Sequence, residues 1–89
     1  MQETVHVAAV QMDVKRELDV NLGTMRLAIE SLAASGPIDL VVFPELANSG
    51  YLHGGDKAFG GEYLKLAEKV PGTFTKTLGE IARQHHVHI

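Results

Sequence analysis

The chain has 89 residues, a formal charge of -3 and no cysteine. That length allows at most one small domain with a modest core, marginal without partners. The mild acidity and the lack of a basic cluster argue against a nucleic-acid surface, and the missing cysteines exclude disulfides while saying little about compartment. The opening Met-Gln-Glu-Thr has no positive n-region and no apolar run is long enough to span a bilayer, so a cytoplasmic location is the default expectation.

Residues 5–12 (Val-His-Val-Ala-Ala-Val-Gln-Met) form the first candidate strand, dominated by valine and alanine and free of Gly and Pro. His6 near its start reads as a sheet-face histidine rather than a ligand. Gln11, near the far end, either lies at the sheet's carboxyl edge or satisfies local hydrogen bonds. The polar connection 13–18 carries none of the glycines that let backbone N–H groups approach a phosphate, which weakens a nucleotide-binding reading. Asp19 is a candidate N-cap. Leu18, Leu22, Met25, Ile29 and Leu32 then recur at spacings of four, three, four and three, which makes one apolar helix face. Arg26 and Glu30 fall on the exposed side, and Gly36-Pro37 punctuates the helix end.

Residues 40–43 (Leu-Val-Val-Phe) are an unbroken apolar run, the signature of a strand covered on both faces. Pro44 stops it, having no N–H for a ladder and holding its predecessor extended. Strand, helix and strand with short connections make a βαβ unit with parallel strands and a right-handed crossover. Glu45 is the first charged residue after the second strand, at the end where open α/β sheets carry ligands and chemistry. By position alone it is either a solvated loop glutamate or a functional carboxylate.

A glycine-rich segment, 52–61, follows without phosphate-loop spacing. It is either a surface loop or a loop that shapes a substrate site, and its His53 and Asp56 lack metal-pair spacing. Residues 62–69 read as a short helix with Tyr63, Leu66 and Ala67 on one face, broken by Val70-Pro71-Gly72. Thr73 is a candidate N-cap for a further helix whose face is Phe74, Leu78, Ile81 and Ala82, with Glu80 and Arg83 exposed. The tail His85-His86-Val87-His88-Ile89 lacks a third metal ligand beside His86 and His88. Its histidines suit a helix C-terminus, and Val87 to Ile89 look like the opening of a third strand.

Phe43-Pro44-Glu45-Leu46 followed by Ser49-Gly50-Tyr51 resembles the catalytic-glutamate motif of the nitrilase (carbon–nitrogen hydrolase) superfamily. The likeness runs from about residue 5 to the end: the Val-Gln-Met strand end, Asp19 and Asn21 at the first helix, Pro71-Gly72 before a helix with Ile81-Ala82, then a further strand. The resemblance implies an α/β fold, the N-terminal part of an α-β-β-α sandwich. It comprises the βαβ unit, two further helices and the start of a third strand. It also implies cofactor-free hydrolysis of an amide, an N-carbamoyl compound or a nitrile by a Glu-Lys-Cys triad. Glu45 would be the general base, a carboxylate in a dry pocket taking the thiol proton, and the lysine would stabilise the oxyanion. Tyr51 would support Glu45 or line the substrate pocket. Homo-oligomers are expected of the complete protein, with no nucleic-acid or membrane partner and no metal.

The sequence departs from that pattern in having no cysteine, and Lys57, Lys65, Lys69 and Lys76 match no lysine motif. Residues 1–89 are therefore expected to be an incomplete N-terminal segment of one nitrilase-type domain, inactive alone. The alternative is a non-catalytic truncated module that associates with another chain through exposed sheet edges. A small nucleotide-binding α/β domain is a third reading, disfavoured by the connection 13–18.

Overall fold

The computed structural model describes residues 3–51 and 60–89. In chain order they form strand β1 (Val7–Ala9), helix α1 (Leu18–Ser35), strand β2 (Leu40–Val42), helix α2 (Gly60–Leu64) and helix α3 (Thr73–His85). β1 and β2 pair in parallel, Val7 opposite Leu40 and Ala9 opposite Val42, with α1 as the crossover. The βαβ unit read from the sequence is therefore present. Regular β1 is shorter than the predicted 5–12 because β2 offers only three paired residues. Backbone bonds still reach past its ends, from Leu40 N–H to His6 O (3.1 Å) and from Val10 N–H to Val42 O (2.8 Å). β2 likewise ends one residue before the predicted Phe43, just ahead of Pro44.

α1 forms where the apolar spacing places it. Leu22, Met25 and Ile29 are buried, while Leu18 and Leu32 are half-buried on the same stripe. The start of the helix differs from expectation. Glu17 occupies the N-cap position without a side-chain bond, and Asp19 lies inside the first turn. There its carboxylate complements the positive end of the helix dipole instead of capping it. Gly36 closes the helix at φ 155°, a backbone region that a side chain would strain.

The tail begins a third strand, as predicted. His88 forms a parallel bridge with Leu40: its N–H donates to Asp39 O and its O accepts from Val41 N–H, both at 2.8 Å. It lies on the edge of β2 away from β1. Two crossovers of like hand stepping in the same direction lay their helices on the same face of a sheet, and α1 and α3 do pack against each other. Ile29, Val41, Ile81 and Val87 make the core of that layer, with Phe43 and Leu78 packed on it. Among the described residues the opposite face is open. Val7 is 56% and Val42 48% exposed. The both-face burial expected of residues 40–43 is thus not built by the described residues, which supply helices to one side of the sheet only.

The predicted helix 62–69 is shorter. α2 stops at Leu64, tightened by bonds from Leu66 N–H to Tyr63 O (3.0 Å) and from Ala67 N–H to Leu64 O (3.2 Å). Leu66 and Ala67 therefore do not share a helical face with Tyr63. The early stop leaves Glu68 outside any helix, where its Oε1 accepts the Phe74 N–H of the first turn of α3 at 2.6 Å. The N-cap of α3 is Gly72, not Thr73. Gly72 N–H donates to Thr75 Oγ1 at 2.8 Å, and a Cβ at Gly72 would lie 2.5 Å from Lys69 O. Only glycine fits that approach. On α3, Ile81 is buried, with Phe74, Leu78 and Ala82 half-buried on the predicted face.

Candidate active site

The site is built where β2 ends. After Phe43 and Pro44 the chain enters a turn, 45–49, whose first residue is Glu45. Leu46 holds φ 55°, a left-handed conformation that costs a branched side chain roughly 1–2 kcal/mol. Its carbonyl accepts two backbone bonds, from Ser49 N–H (3.1 Å) and Gly50 N–H (2.8 Å), which close the turn. Gly50 leaves it at φ 76°, and a Cβ there would sit 3.1 Å from Lys15 O. Strain beside an exposed carboxylate, held by closing hydrogen bonds, is the pattern of a site whose geometry has been fixed.

Tyr51 returns to Glu45. Its hydroxyl donates to Glu45 Oε1 at 2.8 Å. That hydrogen bond, with burial and the adjacent carboxylate charge as lesser contributions, holds the phenol above its ordinary value, because ionising it would break the bond and set two anions side by side. Both side chains are exposed among the described residues, so these residues do not enclose Glu45 in a dry pocket.

Beside this pair lies a cleft of about 530 Å³. Residues 12–17, the loop after β1, make one wall; Pro44, Gly50 and Tyr51 make the other. Glu45 is not in the lining but is joined to it through the Tyr51 hydroxyl. The cleft therefore spans the carboxyl ends of both strands, the location expected of a ligand site in a parallel sheet. On its first wall the Lys15 ammonium bonds the Asp13 carboxylate, which holds the lysine above its usual value.

Several residues that sequence reasoning left without a role hold the walls together. Asn21, fully buried, bonds both backbone groups of Lys15 and reaches Asn48 O. From α2, the Tyr63 hydroxyl donates to Gly50 O and lies 3.3 Å from Ser49 Oγ. A polar residue among the apolar positions at the start of α1 was the one signal that pointed to Asn21. Tyr63 gave none, because its partner is a backbone carbonyl that no pattern announces.

The family model for carbon-nitrogen hydrolases matches residues 6–89. The chain belongs to the carbon-nitrogen hydrolase family. No curated protein and no solved structure matches it. The match places this chain in the nitrilase superfamily, and it takes in the turn, the cleft walls and the His88 bridge. The mixed α/β architecture agrees with part of a nitrilase-like fold.

Other residues singled out in the sequence of this carbon-nitrogen hydrolase lie apart from the turn. Gln11 is exposed. His6 sits at the start of β1 and pairs with Asp39, Nδ1 to Oδ2 at 3.3 Å. His86 ends α3 in a left-handed conformation, φ 54°, and His88 is in the β-bridge. Among the described residues no three of His, Cys, Asp or Glu gather as a metal site would need. Among them too, no helix is long and apolar enough to cross a membrane. Lys65, Lys69 and Lys76 are exposed. The readings of the glycine-rich segment, including His53, Asp56 and Lys57, fall largely on residues 52–59, outside the described residues.

Proposed function

We propose that residues 1–89 are the N-terminal segment of a nitrilase-type domain and supply the general base of a hydrolase acting on an amide, an N-carbamoyl compound or a nitrile. The observation that carries this reading is the Tyr51 hydroxyl on Glu45 Oε1 at the carboxyl end of β2. The bond occupies one carboxylate oxygen and orients the group. The other oxygen, Oε2, is the one proposed to take the proton. In the proposed reaction Glu45 removes the proton of a cysteine thiol, the thiolate adds to the substrate carbon, and a lysine stabilises the negative charge that develops there. From an amide or N-carbamoyl substrate, ammonia or an amine then leaves with a proton returned by Glu45; a nitrile gives a thioimidate, which first adds one water before its nitrogen leaves as ammonia. Water, activated by the same carboxylate, then releases the acyl group and restores the thiol.

The chain contains no cysteine, so the thiol and its lysine partner are proposed to come from outside these residues. The test is Glu45→Gln in the intact enzyme. The amide keeps the size and accepts the Tyr51 bond but cannot take the proton. Turnover is expected to fall on the order of 10²–10⁴-fold with the melting temperature nearly unchanged. Near-normal turnover would end the general-base assignment.

A second reading, a non-catalytic module that associates with another chain, is favoured by one observation: the open sheet face with Val7 and Val42 exposed. The intact mass of the native polypeptide separates the two. A mass of 9.6 kDa favours the module, and a larger mass favours the hydrolase segment.

A further inference from the structure

We infer that Asn21 is a positioning residue of the site: from inside α1 it fastens the turn that carries Glu45 to the loop that forms the opposite wall of the cleft. The inference deepens the proposed function and rests on Glu45 being the working carboxylate.

Asn21 is fully buried on the helix face that also carries Leu22, Met25 and Ile29. A buried amide is costly unless its donors and acceptor are all used, and this one uses them. Oδ1 accepts Lys15 N–H at 2.7 Å, and Nδ2 donates to Lys15 O at 2.7 Å. Those two bonds hold Lys15 as a strand partner would. The second Nδ2 hydrogen goes to Asn48 O at 3.2 Å, across 27 residues of sequence. Asn48 is the third residue after Glu45 and directly precedes Ser49 and Gly50, whose N–H groups close the turn onto Leu46 O. A shift of the Asn48 carbonyl therefore passes through the turn to the residue next to Glu45. The same two segments also pass close at Gly50, where a Cβ would lie 3.1 Å from Lys15 O.

The chemistry requires an amide at this position. Aspartate would keep the acceptor for Lys15 N–H but lose both donors, and would set a carboxylate against the Lys15 and Asn48 carbonyls. A purely apolar residue would leave all three backbone groups unpaired. Asparagine alone of the short side chains offers an acceptor and two donors in one plane.

The test follows the Tyr51–Glu45 bond itself. Protein labelled with ¹³Cζ-tyrosine is titrated by NMR. The chain has two tyrosines, and Tyr51→Phe assigns them. Four proteins are compared: wild type, Asn21→Asp, Asn21→Ala and Ile29→Ala, the last removing a buried side chain from the same helix face where it packs on Val41, Ile81 and Val87 and not on the turn. Wild type and Ile29→Ala are expected to hold Tyr51 above the ordinary phenol value of about 10. Both Asn21 variants are expected to let it fall toward that ordinary value. In the intact enzyme, Asn21→Asp is expected to lower kcat on the order of ten- to a hundredfold with KM little changed.

Three outcomes overturn the inference. Tyr51 titrates as wild type in the Asn21 variants; or Ile29→Ala moves it equally, which makes the effect one of general destabilisation; or neither Asn21 variant folds, which makes Asn21 a requirement of the whole fold. The titration reads a hydrogen bond and not turnover. A Glu45→Gln enzyme that retains activity would therefore remove the general-base reading while leaving the Asn21 measurement intact.

Discussion

β2 presents two different environments within three residues. Val41 faces the helices at 0% exposure, whereas Val42 faces the other way at 48%. Both are valines in one apolar run, and alternate residues of a strand point to opposite faces. The difference therefore comes from what packs on each side and not from the strand. α1 and α3 cover one face, and no described residue covers the other as thoroughly. The stability of these residues is concentrated on the helix side, and the exposed Val7 and Val42 lie on the open side.

The largest effect should come from the covered face. Ile29→Ala or Ile81→Ala is expected to cost about 2–5 kcal/mol, because each side chain is fully buried and neighbours fill the space only in part. Chemical denaturation measures it, and a loss below about 1 kcal/mol would mean that the helix layer is not the core. Next comes the anchoring of α3 on that face. Gly72→Ala should cost about 1–3 kcal/mol, since the new methyl meets Lys69 O. Glu68→Ala should cost about 1 kcal/mol by leaving the Phe74 N–H uncapped. If Glu68→Ala melts like wild type, the carboxylate is not acting as a cap.

On the open face, Val42→Thr should change stability by less than about 0.5 kcal/mol while reducing self-association in sedimentation experiments. A large loss of stability there would show that this face is covered in the folded protein. The smallest effect concerns pH. The Tyr51–Glu45 bond raises the phenol's value in the folded state, so its contribution is complete below about pH 10 and is lost as pH climbs through the raised value. The difference in melting temperature between wild type and Tyr51→Phe should therefore hold steady below about pH 10 and shrink as the pH is raised above it. A constant difference would show that the bond does not form in solution.

Much of this arrangement was legible in the sequence. Periodicity gave α1 and the face of α3, because buried helix positions must recur at helical spacing. The apolar run before Pro44 gave β2 and the exit of Glu45 from its end. The final three residues gave the start of a third strand, with His88 bridged to Leu40. The helix caps were not legible. Asp19 and Thr73 have capping side chains, but the caps depend on where neighbouring segments pass: Glu68 reaches α3 from outside it, and Gly72 is demanded by the Lys69 carbonyl. The supports of the site were hidden for a similar reason. Asn21 and Tyr63 act on backbone carbonyls of distant residues, and a carbonyl carries no sequence signature. The Tyr51–Glu45 contact, six residues apart, was within reach of sequence reasoning because only the turn lies between them.

The left-handed conformation of Leu46 separates durability from performance at this turn. Leu46 is 42% exposed, so Leu46→Gly gives up little packing, and it relieves the clash of a branched side chain with its own backbone. Glycine also widens the range of conformations open to the unfolded chain, an opposing effect of about 0.4–1 kcal/mol. The two nearly cancel, so the melting curve should hardly move. What changes is the spread of directions available to the neighbouring carboxylate. A protein altered at Leu46 would look sound by every measure of folding and still work slowly, which makes this leucine a place where selection for activity leaves a trace that selection for stability would not.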